Sequence, residues 1–251
     1  MMGPDKSVLL CNTESVCPEC LARIPAAKFS IGQNVLIRKI CPEHGEFTVT
    51  VWRGQPSLSD WIRAKIPCHP EAPKTVIDGG CPFDCGLCPD HRQQTCTALL
   101  EITSRCNLRC AYCFADSGNH NGPDPDLGVI RSWYESLIAT GHPCNIQLSG
   151  GEPTVRDDLP EIIALGISLG FKFIQLNTNG IRLAVDEIYL KRLKESGLAS
   201  VFLQFDGMSD QIYSALRGGN FLQSKLMAIQ NCRKQNLGVI LVPTLVPRVN
   251  T

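Results

Sequence analysis

From residue 97 onward the apolar positions alternate between two periods. Short apolar runs at 98–103, 145–148, 172–176, 200–205 and 239–242 read as strands. Between them, helical stripes run through Val129, Ile130, Trp133, Tyr134, Leu137 and Ile138, then through Leu159, Ile162, Ile163 and Ile167. Val185, Ile188, Arg192 and Leu193 mark a third helix, and Leu222, Leu226 and Ile229 a later one. Strand–helix alternation predicts βαβ units, a parallel sheet and right-handed crossovers. Periodicity alone does not choose between open sheet and barrel. The distribution of unusual residues favours the barrel: Cys106, Gly150, Asn177 and Asp206 each follow a strand, on the carboxyl face where (β/α) barrels place their functional loops. Before residue 97 short alternating runs such as 35–40 and 47–51 predict a small β-ribbon with little core of its own. Bound metal must then supply part of its folding free energy.

Composition sharpens this division. The chain has 251 residues, 43% of them hydrophobic, enough for a substantial core. Its 24 basic and 24 acidic residues balance, which gives no electrostatic case for nucleic acid or an anionic membrane. No apolar run approaches the roughly 20 residues a membrane span needs, and the first residues lack a signal-peptide core, so a cytoplasmic setting is expected. The 14 cysteines are the anomaly, in a chain too large to need disulfide stapling. Their CxxC-type spacings point to metal ligands in a reducing compartment.

The cysteines fall into three groups. Cys17 and Cys20 pair with Cys41-Pro-Glu-His44 across the ribbon, two knuckles that make a tetrahedral site for mononuclear iron or zinc. Either His44 or Cys11 completes it, the first favouring zinc and the second permitting iron. Cys81, Cys85 and Cys88 form a CxxxCxxC run that suits a [4Fe-4S] cluster, with Cys96 the first candidate for fourth ligand and Cys68 the next. Four thiolates there also suit zinc. Cys106, Cys110 and Cys113 repeat the spacing in the loop after the first barrel strand. Three thiolates hold three corners of a cubane cluster and leave one iron open to a small molecule. The bland alternative is a structural knuckle with a distant fourth ligand. Gly150-Gly151-Glu152-Pro153 follows the second strand: the glycines let backbone approach a ligand, and Glu152 offers an acceptor to an ammonium group.

Together, CNLRCAYC and GGEP at successive strand ends closely resemble the radical S-adenosylmethionine (SAM) superfamily. Tyr112, before the third cysteine, matches a family habit. The resemblance covers 97–251 and implies a partial (β/α)6 TIM-like barrel within an α/β fold. It also implies that Cys106, Cys110 and Cys113 bind a [4Fe-4S] cluster whose open iron chelates SAM, while Gly150, Gly151 and Glu152 meet the cofactor's amino group. Catalysis would be reductive cleavage to a 5′-deoxyadenosyl radical that abstracts hydrogen from an unactivated carbon, with a reduced flavodoxin- or ferredoxin-type donor as partner. The order CPEC, CPEHG, CPFDCGLCPDH, CNLRCAYC is similar to one subgroup, which contains tetraether synthase and radical methylases of pterin-type substrates. It implies a small-molecule or lipid substrate and either carbon–carbon coupling or methyl transfer. The expected organisation is a rubredoxin- or zinc-ribbon-like domain at 1–67, an auxiliary cluster segment at 68–96 and the barrel at 97–251. Only five barrel strands are countable against the six usual in the family, so the chain is expected to be the N-terminal portion of a longer enzyme.

Other residues carry weaker signals. Asn177 and Asn179 follow the third strand, near where the family sets polar groups by the cofactor, although Asn-Gly is also a turn signal. Gln204 and Asp206 resemble positions that meet the ribose or sulfonium, and Arg217 either meets the carboxylate or is solvated. Cys144 and Cys232 read as buried thiols. The polar stretch 116–128 reads as a long loop over the active face. A different class is a multi-cluster electron carrier or metal-stabilised binding module without radical chemistry. GGEP argues against it, since a carrier needs no site for a cofactor's amino group.

Overall fold

The computed structural model describes residues 7–62, 68–80, 83–84, 88–93, 95–113, 115–117, 122–141 and 144–251. They fall into two compact units, 1–93 and 94–251. In the first, β1 (Val8–Val16), β2 (Arg23–Ile31), β3 (Asn34–Cys41) and β4 (Gly45–Trp52) form an antiparallel meander in chain order. The runs at 35–40 and 47–51 lie inside β3 and β4; β1 and β2 were not legible. Most of β1 is exposed, so its residues do not alternate in polarity. The short helix α1 (Leu58–Trp61) follows, its amino end capped by the Ser57 side chain, which accepts from the Asp60 amide. The buried core of this unit is Cys17, Ile24 and Cys41, with Cys20 and Phe47 packed against them.

The second unit alternates β5 (Thr97–Thr103), α2 (Leu127–Ile138), β6 (Asn145–Gly150), α3 (Leu159–Ser168) and β7 (Ile174–Thr178). It continues through α4 (Ile181–Val185), α5 (Glu187–Glu195), β8 (Ser200–Gln204), α6 (Asp210–Arg217), α7 (Leu222–Lys234) and β9 (Gly238–Val242). All neighbouring strands pair in parallel and their order is that of the chain. A doubly wound sheet reverses its strand order at a switch point. Here there is no reversal, so right-handed crossovers carry every helix to one side of the sheet, as in a barrel wall. The core lies between: Ile146, Leu148, Ile174, Leu176, Val201 and Leu203 from the strands meet Ile130, Tyr134, Ile162, Ile163, Leu190 and Leu193 from the helices. Cys144 and Cys232 are buried thiols, and burial alone pushes Cys232 up to about 11. Among the described residues, no helix is long and apolar enough to cross a membrane.

Four expectations need correction. The third strand begins two residues later than 172, because Lys172 and Phe173 are exposed after the turn at Gly170 (φ +98°). The stripe through Val185 and Ile188 faces water, at 80% and 77% exposure. Asp186 ends α4 and caps α5 by accepting from the Tyr189 amide, and the new helix buries Tyr189, Leu190 and Leu193 instead. On α7 the inward face is Lys225, Ala228, Asn231 and Cys232, while Leu222, Leu226 and Ile229 are half-buried. The loop expected over 116–128 gives way to α2 at Leu127, capped by Asp126, and Asp124 ties it down.

Candidate functional site

The carboxyl ends of the barrel strands enclose a cavity of about 250 Å³. Cys106, Cys110, Cys113, Gly150, Gly151, Glu152, Asn177, Asn179 and Gln204 all line it, together with Arg217 and Thr244. Residues from β5 to β9 thus converge from sequence positions more than 130 apart, as the barrel rim requires. Leu108, Phe202 and Val242 supply an apolar part of the wall.

The two glycines also lie close to the chain's own backbone. A Cβ on Gly151 would lie 2.2 Å from the Arg105 carbonyl oxygen, and one on Gly150 2.1 Å from that of Thr103. Their close approach is therefore to the chain's own cysteine loop. The Gly151 amide donates to the Thr103 carbonyl at 2.8 Å and the Glu152 amide to that of Arg105 at 2.9 Å. Gly150 also holds φ +122°, a conformation closed to other residues without strain. The GGEP turn positions the start of the three-cysteine loop.

Glu152 is buried, and its carboxylate is held on several sides. Oε1 accepts from the Thr154 amide, the Thr154 hydroxyl and the Thr178 hydroxyl at 3.0, 2.6 and 2.7 Å. Among the described residues Oε2 accepts only the Asn179 amide, at 2.6 Å, so within that set this oxygen keeps capacity for a further donor. The Asn179 side chain donates to Asn107 Oδ1 at 2.7 Å, tethering the cysteine loop a second time. Asn177 Oδ1 is buried without a hydrogen-bond partner among the described residues. Native proteins seldom leave such an atom unpaired.

Asp206 stands behind the wall. Its side chain is fully buried in an ion pair with Arg217, Nε to Oδ2 at 2.8 Å and Nη2 to Oδ1 at 2.9 Å. It also accepts from Gln204 and the Thr244 amide. Burial alone would raise this carboxyl, but the bonds and charges of Arg217 and its neighbours hold it below the usual range. Arg217 is accordingly neither solvated nor free: it also donates to Thr244 Oγ1 at 2.8 Å and to the Tyr112 carbonyl at 3.4 Å.

Sequence reasoning missed three supports. Arg156 is buried and donates to the Ile102 and Pro125 carbonyls at 2.7 and 2.9 Å, fixing the end of β5. Asp124 accepts from the Thr103 hydroxyl and pairs with Arg105. Lys225 is wholly buried, its Nζ donating to the Asn179 carbonyl at 2.5 Å and to Gln204 Oε1 at 3.0 Å. Burial pushes its ammonium down to about 8. Its spacing from Ala228 and Cys232 was the available signal, a helical stripe centred on small residues rather than on leucines.

In the first unit Cys17, Cys20, Cys41 and His44 bring their ligand atoms within 4.8 Å of one another. Cys41 Sγ lies 3.5 Å from His44 Nδ1 and 3.9 Å from Cys20 Sγ, and Cys17 Sγ lies 3.8 Å from His44 Nδ1. Thiolates at 2.3 Å from a tetrahedral ion sit about 3.8 Å apart, so the set fits one zinc ion. His44 beside it holds the Cys41 thiol down to about 6, towards the thiolate that a metal requires. Cys11 is exposed on β1 outside this group, so the donor set is Cys₃His. Among the described residues no other set is this tight. Cys106, Cys110 and Cys113 line one cavity. Cys81 and Cys85 lie outside the described residues; Cys88 belongs to the first unit and Cys96 to the second.

The arrangement defines a barrel enzyme with a cluster loop and an adjoining ligand cradle. Residues 100–251 match the radical SAM superfamily model, and the chain belongs to that superfamily. Residues 9–53 match the model of the HMPTM N-terminal zinc ribbon domain. The 7,8-dihydro-6-hydroxymethylpterin dimethyltransferase of Methanocaldococcus jannaschii is 44% identical over 243 residues, covering 95% of this chain and 48% of the relative. The Fe-coproporphyrin III synthase of Methanosarcina barkeri is 32% identical over 186 residues, covering 70% and 44%. The chain spans about half the length of these relatives. A solved structure described as native anSMEcpe with bound AdoMet superposes with a TM-score of 0.50 at 23% identity, over 60% of this chain and 43% of that one. That likeness concerns the fold alone.

Proposed function

We propose that this chain forms part of a radical SAM methylase acting on a pterin-type substrate. The observation that carries the reading is the match to the pterin dimethyltransferase, which runs through ribbon and barrel over 95% of the chain, where the coproporphyrin synthase reaches 70%. When bound, the [4Fe-4S] cluster and SAM supply a one-electron route to hydrogen abstraction from unactivated carbon. Cys106, Cys110 and Cys113 hold the cluster, and the Gly150–Glu152 turn and Asn107–Asn179 bond fix their loop. Glu152 Oε2 accepts from the cofactor's ammonium group, and Asn177 Oδ1 takes a second donor. Leu108, Phe202 and Val242 exclude water from the reacting carbon. Cys81, Cys85 and Cys88 hold an auxiliary cluster, and a flavodoxin- or ferredoxin-type protein delivers the electron. The ribbon's Cys₃His site holds zinc.

The test is anaerobic reconstitution of the full-length protein with SAM, dithionite and a 6-hydroxymethyl-7,8-dihydropterin. Expected products for each methyl added are 5′-deoxyadenosine and methionine from one SAM, S-adenosylhomocysteine from a second SAM that gives up its methyl group, with dithionite supplying the electrons, and a pterin carrying one or two such methyl groups. Absence of 5′-deoxyadenosine would favour the electron-carrier alternative. If 5′-deoxyadenosine forms beside an unmodified pterin, the substrate class is wrong, and a lipid and pterin profile of a strain lacking the gene redirects the search.

A further inference from the structure

Lys225 is the buried charge for which the cofactor chemistry gives no role. It lies at 0% exposure on α7, and its two bonds go to neutral acceptors, the Asn179 carbonyl at the end of β7 and Gln204 Oε1 at the end of β8. An ammonium so buried is costly unless it satisfies groups that nothing else reaches. Both partners lead to the cluster loop. From Asn179 the path goes through its side chain to Asn107, between the first and second loop cysteines. From Gln204 it passes to Asp206, then Arg217, and ends on the Tyr112 carbonyl, between the second and third. Lys225 thus closes a polar circuit that grips the loop in both of its intervals.

We propose that Lys225 is a positioning residue that sets the Asn179 and Gln204 walls and the cysteine loop in binding geometry before SAM arrives. The inference rests on reading the cavity as the SAM site. Helix α7 also provides an internal control. Asn231, equally buried on the same face, donates to the Leu183 and Ala184 carbonyls at 3.0 and 3.1 Å and ties α7 to α4 away from the cavity.

The experiment measures SAM affinity, and the SAM-dependent change in the EPR signal of the reduced cluster, in the reconstituted full-length protein. Lys225→Met should weaken SAM binding about tenfold, the scale of one unsatisfied buried polar group, and broaden or abolish the EPR change at unaltered iron content. Lys225→Gln, which keeps one donor, should fall between and serves if the methionine variant does not fold. Asn231→Ala should lower the melting temperature yet leave affinity and EPR change as in the wild type. If both Lys225 variants bind SAM within about twofold of wild type, or if Asn231→Ala loses affinity equally, Lys225 has only a packing role and the proposal fails. If the wild-type protein itself binds no SAM, the reading of the cavity fails instead.

Discussion

The two units of this chain solve the same folding problem with different means. The ribbon buries Cys17, Ile24 and Cys41 and little else, so its interior is largely the metal's own ligands. The barrel buries a continuous layer of isoleucine, leucine and tyrosine between strands and helices, and keeps its cysteine loop at the rim, outside that layer. In the ribbon metal and core are one thing, whereas in the barrel they are separable. Loss of metal should therefore unfold the first and merely empty the second.

The largest effect expected from this contrast is Cys41→Ser. Removing one ligand forfeits much of a binding free energy on the order of 10 kcal/mol, more than a small ribbon holds in reserve. One zinc per chain should be lost and residues 1–62 should become protease-sensitive, while the barrel's thermal transition stays in place. Retention of a protease-resistant ribbon without zinc would show that its sheet is self-sufficient. Next comes Gly151→Val, where a side chain would meet the Arg105 carbonyl. The cysteine loop must shift, so iron content at that site should fall strongly with zinc unchanged; a wild-type iron count would contradict the clamp described above. Leu148→Ala, at 0% exposure in the barrel core, should cost about 2–5 kcal/mol in urea unfolding without altering zinc content.

The smallest predicted effect is a pH dependence. Lys225 titrates at about 8 in the folded chain and at about 10.4 when unfolded, so between these values the unfolded state binds more protons. Its contribution to stability therefore rises from about pH 8 towards about pH 10.4 and is lost again as pH falls. Comparing urea midpoints of wild type and Lys225→Met at about pH 7.5 and about pH 9.5 should show the wild type gaining relative to the variant. A constant gap would mean that the ammonium is not held at a cost.

What the sequence disclosed follows the same division. Ligand spacing and strand ends were legible, because Cys17, Cys20, Cys41, the CNLRCAYC loop and GGEP depend on local geometry. Strand β1 was not, since it is mostly exposed and carries no alternation, and in β2 only Ile24 and Ala26 near its start are buried. The inward face of α5 was obscured because Val185 and Ile188 look apolar but precede or lie opposite the helix's buried side, which Asp186 resets by capping. Lys225 escaped notice because a lysine on a helix is normally solvated, and only the tertiary positions of Asn179 and Gln204 give it acceptors. The purpose of Gly150 and Gly151 was also hidden. Sequence shows that backbone comes close to something there, and the structure adds the neighbouring loop to the cavity that the same glycines line.

The in-order pairing of β5 through β9 bears on how the molecule is made. Each strand seeks its partner among residues only a few tens of positions away, which keeps contact order low for a parallel sheet. The strand–helix pairs of the second unit can therefore add one after another as the nascent chain emerges, with no early strand waiting for a late one. The cavity matures only after β9, because Asp206 receives the Thr244 amide and the Asn250 side chain from the chain beyond that strand. Ribosome-bound chains halted after β8 should already protect β5 to β8 from exchange while leaving the cysteine loop unprotected.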